Sequence, residues 1–65
     1  RTPEIYKTIC RKYNISPANT TVYEDTLFAV RSAKGAGCHV IAVYDNDSSA
    51  HWEEIKTIAD ETLPS

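Results

Sequence analysis

Three features of this 65-residue sequence predict an α/β fold built on a parallel sheet. Helix-like and strand-like segments alternate along the whole chain. The links between them are short, so each strand–helix–strand passage reads as a right-handed parallel crossover. The run Cys38-His39-Val40-Ile41-Ala42-Val43 is close to continuously apolar, which suits a parallel strand covered on both faces.

Thr2-Pro3 reads as a helix start, with a hydroxyl residue as N-cap and proline at the first helical position, where its missing N–H costs nothing. Ile5, Tyr6, Ile9, Cys10 and Tyr13 then share one face of a helix over residues 3–13, opposite Lys7, Arg11 and Lys12. Asn14 tolerates the left-handed conformation that ends helices, and Ser16-Pro17-Ala18-Asn19 is a turn. β-Branched and aromatic residues predict a strand over 20–24, closed by the acidic pair Glu24-Asp25. A second helix follows over 26–36, with Gly37 as the left-handed residue that stops it. The apolar strand spans 38–43. Asp45-Asn46-Asp47-Ser48-Ser49 is then a polar loop in which Ser48 or Ser49 caps a third helix over 50–59, whose Trp52, Ile55 and Ile58 face a core. Residues 60–63 are a candidate final strand.

With 42% hydrophobic and 25% charged residues and only two glycines, the chain has the composition of a globular domain. Its net charge of −2 gives no electrostatic basis for binding a nucleic acid backbone. No apolar run approaches the roughly 18–20 residues that span a bilayer, no signal-peptide pattern opens the chain, and no membrane role is expected. Two cysteines are too few for a disulfide-stapled scaffold; buried free thiols are expected at Cys10 and Cys38, and a cytoplasmic location fits them. A chain this short buries only about 60% of its unfolded surface. It opens on Arg1, contains no Met, and enters helical pattern by its third residue. The expectation is therefore a segment that leans on the remainder of its own polypeptide.

Ligands in open parallel sheets bind beyond the carboxyl ends of the strands. Two acidic clusters fall there: Glu24-Asp25 after the first strand and Asp45-Asn46-Asp47 after the second. Carboxylates at such an edge suit Mg²⁺, a hard cation that prefers oxygen ligands and commonly shares them with a phosphate. The plainer alternative is that these acids are solvated or cap the next helix. His51 has no partner at ligand spacing, and Cys38-His39 cannot form a nucleophilic dyad because strand neighbours point to opposite faces.

The stretch from Glu24-Asp25-Thr26 through Ala36-Gly37 to the strand at 38–43 resembles the fourth motif of haloacid dehalogenase-like (HAD) hydrolases. There an acidic pair with Ser or Thr closes a strand, and a small-residue helix ends in Ala-Gly before the next apolar strand. Thr2-Pro3-Glu4-Ile5-Tyr6 likewise resembles the stretch after that family's third-motif lysine. The resemblance implies the carboxyl-terminal part of a three-layer Rossmann-like core domain, occupying all 65 residues, with the rest of the core and any cap domain absent. It implies a Mg²⁺-dependent phosphatase acting on a small phosphorylated, sugar-phosphate-like metabolite through an aspartyl-phosphate. Asp25 is then the metal ligand, Glu24 a second ligand directly or through water, and Thr26 the residue that caps the helix and fixes the acidic turn.

The chain departs from the family pattern in three ways. The nucleophile and Ser/Thr motifs have no counterpart in matching order, so the isolated chain is expected to be inactive. The lysine falls before Arg1, which sits one place too late to replace it. Ala29 stands where glycine is common. A subordinate alternative takes Asp45-x-Asp47 as the nucleophile motif, which reverses the family order. Others are a related phosphomutase, or a non-catalytic receiver-like module whose acidic edge serves regulation or interaction.

Overall fold

The computed structural model describes residues 2–65. Helix α1 (Pro3–Lys12) leads through a 3-10 turn at Pro17–Asn19 into strand β1 (Thr21–Glu24). Helix α2 (Leu27–Gly35), strand β2 (His39–Val43), a second 3-10 turn (Asn46–His51), helix α3 (Trp52–Ile58) and strand β3 (Glu61–Leu63) follow. The three strands form one sheet in the order β1-β2-β3, parallel throughout, so the predicted parallel α/β class is observed.

Proline at the first turn of α1 leaves Thr2 in extended conformation, with its carbonyl accepting from the Ile5 N–H at 3.1 Å. Both α1 and α2 end in paired Schellman bonds. In the first, Ile15 N–H reaches Cys10 O and Asn14 N–H reaches Arg11 O around Asn14 at φ 55°. In the second, Cys38 N–H reaches Ala33 O and Gly37 N–H reaches Lys34 O around Gly37 at φ 93°. Both left-handed residues fall where the sequence placed them. The segment 50–59 differs from expectation. The polar loop before it is itself wound as the 3-10 turn, anchored by Ser48 N–H to Asp45 O at 3.0 Å, and α3 begins only at Trp52 with no side-chain cap. Ser48 is buried under the turn, and the turn's own backbone bonds lead the chain into α3 in place of a serine cap.

Strand parity assigns the core. Val40 and Ala42 of β2 are fully buried and join Tyr6 of α1, Val30 and Ala33 of α2, and Ile55 of α3 in one cluster, with Val22 of β1 packed against it. All three helices therefore contribute to one face of the sheet; for α2 and α3 this is what two successive crossovers of one hand in the same direction give. The opposite parity behaves differently from the expected cover on both faces. Ile41 and Val43 are only half-buried, Tyr23 is 61% exposed and Leu63 is 48% exposed. No element among the described residues crosses that side. The apolar stripe of α1 is divided in the same way: Tyr6 and Cys10 are buried, whereas Ile5, Ile9 and Tyr13 are exposed. No helix among the described residues is long and apolar enough to cross a membrane.

Candidate functional site

The register of β1 on β2 pairs Glu24 with Ala42, so the carboxyl ends of the two strands lie side by side. Beyond them sit the Asp25-Thr26 turn and the Asp45–His51 segment. Thr26, Leu27, Phe28 and Arg31 on one side and Ser48 and His51 on the other line a shallow hollow of about 250 Å³. The topology thus brings together the two loops that carry the acidic clusters.

The acidic residues themselves divide by strand parity. Glu24 points toward the helices, is 8% exposed, and accepts a 2.5 Å hydrogen bond from the Tyr6 hydroxyl. Asp25, one residue on, is exposed, and its side chain makes no hydrogen bond or ion pair among the described residues. Thr26 acts as the predicted N-cap of α2: its hydroxyl accepts from Ala29 N–H at 3.2 Å. That bond fixes the turn presenting Asp25. Ala29 is buried, so its methyl group is accommodated. Asp45 is half-buried at the end of β2 in extended conformation, and Asp47 is exposed within the 3-10 turn. Neither side chain is paired among the described residues. Arg1 lies outside the described residues.

This donor set meets a magnesium ion in part. Mg²⁺ is usually held by one or two carboxylates together with water and phosphate oxygens. Asp25 supplies one accessible carboxylate at the strand terminus, while Glu24 is already engaged by a phenol. Among the described residues, no three His, Cys, Asp or Glu side chains are grouped to hold a metal ion. Further ligands would have to come from other polypeptide or from substrate.

Sequence reasoning missed the Tyr6–Glu24 link. Its signal was available: Glu24 shares parity with Val22, so the strand pattern turns its carboxylate inward, where it needs a donor. A second cluster at the amino end of the sheet was also missed. Lys34, in the last turn of α2, donates to Asp60 Oδ2 at 3.0 Å. Asp60 Oδ2 also accepts from Val40 N–H at 2.8 Å, and Asp60 N–H donates to Val40 O at 2.9 Å. His39 Nε2 lies 2.6 Å from Glu61 Oε2. Asp60 thereby extends the β2–β3 ladder by one side chain.

The Val40 N–H, and then the Lys34 ammonium, hold the Asp60 carboxyl below its ordinary value near 3.8. A carboxyl depressed in the folded state contributes its stability in full above that ordinary value, and the contribution is lost as pH falls through the folded value. Asp60→Asn is therefore expected to cost about 1 kcal/mol at neutral pH and to flatten the acid limb of stability below about pH 4. Urea midpoints measured across pH check this, and parallel profiles for both proteins would exclude the role. Burial pushes the Cys38 thiol up, with Cys10 adding to the effect, which suits inert core thiols.

No protein-family model, curated protein or solved structure matches the chain.

Proposed function

We propose that the chain is the metal-holding carboxyl-terminal part of a Mg²⁺-dependent phosphomonoester hydrolase acting on a small phosphorylated metabolite. The observation that carries this reading is Asp25: exposed, unpaired among the described residues, and held at the carboxyl end of a parallel strand by the Thr26 cap. Its place beside the end of β2 is where open parallel sheets bind ligands. In this proposal Mg²⁺, when bound, neutralises charge between an attacking carboxylate and the phosphate. Asp25 would hold the ion, and Thr26 would keep the turn from relaxing. Glu24 would support the turn from inside through Tyr6, acting on the metal at most through water. The nucleophile and the phosphate-binding lysine would come from the remainder of the polypeptide, and a phosphomutase would use the same parts.

The engagement of Glu24 by Tyr6 favours one second reading, a non-catalytic receiver-like module whose edge carries a single accessible acid at this strand end. A Mg²⁺ titration of the ¹⁵N-labelled chain separates the two. Saturable shifts confined to the 24–26 and 45–47 amides are expected, and Asp25→Asn should weaken them about tenfold or more, since even ligand-supporting groups are worth that much. Scattered or absent shifts, or shifts unchanged in the variant, would exclude the metal role. Mg²⁺-dependent hydrolysis of p-nitrophenyl phosphate by the 65 residues alone would instead revive Asp45 as nucleophile.

A further inference from the structure

A second concavity lies away from Asp25, at the amino end of β1. It is an open groove of about 930 Å³ between the carboxyl-terminal half of α1 and the 3-10 turn before β1. Four residues of β1 at about 3.3 Å each place it roughly 13 Å from the acidic edge. Lys7 and Arg11, one helical turn apart on α1, form one wall. Asn14, Ser16 and Asn19 supply polar groups, while Cys10, Ile15, Pro17 and Ala36 line the rest. Among the described residues no carboxylate lines it, in a chain whose net charge is −2.

The two cations are weakly committed elsewhere. Among the described residues Lys7 meets only Glu4, at 3.9 Å on the helix surface, and Arg11 donates to the Thr8 hydroxyl at 3.3 Å. Exposed pairs of this kind contribute little and exchange readily. The backbone on the other wall is fixed: Asn19 N–H and the Thr20 hydroxyl both bond Ser16 O, and the Schellman turn holds Asn14. The groove is therefore an open concavity with a fixed backbone wall, in which two cations and three polar side chains border an apolar strip.

We infer that this groove binds a small organic anion with an apolar body, its anionic group bridged by Lys7 and Arg11 and its body on the Ile15–Pro17–Ala36 strip. The inference is independent of the metal reading at the opposite edge. Phenyl phosphate is the probe, titrated into the ¹⁵N-labelled chain and followed by amide shifts. Saturable shifts confined to residues 7–19 and 36 are expected, at lower concentration than for inorganic phosphate, which lacks the apolar body. Removing each cation (Lys7→Gln, Arg11→Gln) should weaken binding about tenfold. Both side chains are solvent-accessible, and retained spectral dispersion verifies the fold. Asn19→Asp, which adds a carboxylate to the facing wall, should weaken binding without touching α1. The inference is overturned by shifts that do not saturate at tens of millimolar, by affinity unchanged in these variants, by equal affinity for inorganic phosphate, or by tighter binding of an acidic peptide than of phenyl phosphate.

Discussion

Ile55→Ala is expected to destabilise the protein by about 2–5 kcal/mol, the range for emptying a large buried aliphatic site. Ile55 is the largest fully buried side chain, and it is the point where α3 meets α2 and the sheet. The cluster it belongs to includes Ala33, Ala36 and Ala42, which have no rotamers with which to refill the space. A chain of this length has a total stability of roughly 3–10 kcal/mol at typical per-residue values. The loss is thus a large fraction of the whole, and most of the thermal transition should move below room temperature or vanish. Ile55→Val, at about 0.5–1.5 kcal/mol, is the graded control. Chemical denaturation followed by Trp52 fluorescence measures both. A cost under about 1 kcal/mol for the alanine variant would mean that α3 does not close this core.

Tyr6→Phe is expected to cost about 1.5–3 kcal/mol, because a hydrogen bond from a buried phenol to a carboxylate is worth more than a neutral one. The ring stays, so packing of α1 on α2 is preserved and the lost hydroxyl is isolated. Tyr6 and Glu24 are 18 residues apart, and their bond ties the first helix to the carboxyl end of β1. A double-mutant cycle with Glu24→Gln assigns the coupling to this pair. Under the proposed function, Tyr6→Phe should also weaken Mg²⁺ binding at Asp25 modestly, by loosening the turn that carries it. Additive single and double variants would show that the two residues act separately.

Much of the candidate site was legible in the chain. The strand-ending acids, the Thr26 cap and the α2 stop at Gly37 are local features, set by hydrogen bonds within a few residues, and each lies where the sequence placed it. The resemblance carried by Glu24-Asp25-Thr26 assigned both acids to one metal. The structure distributes them differently, because consecutive residues at the end of a strand face opposite sides of the sheet. The serine cap expected for α3 failed for a related reason. Several caps competed within Asp45–Ser49, and the choice among them belonged to the packing of the buried Ser48.

The amino-acid order by itself determined the element order, the parallel strand connections and the helix ends, since periodicity, β-branching and left-handed residues act over one or two turns of chain. Only the tertiary structure decided which apolar stripes are used. It buries Tyr6 and Cys10 but leaves Ile5 and Ile9 exposed, and it covers one face of β2 while the Tyr23–Ile41 face stays open. It also decided that Tyr6 meets Glu24, that Lys34 meets Asp60, and that Lys7 and Arg11 face the Pro17–Asn19 turn across a groove. Those pairings join residues distant in sequence, and their energies depend on the docking of one layer on another. Local propensity carries no record of that docking.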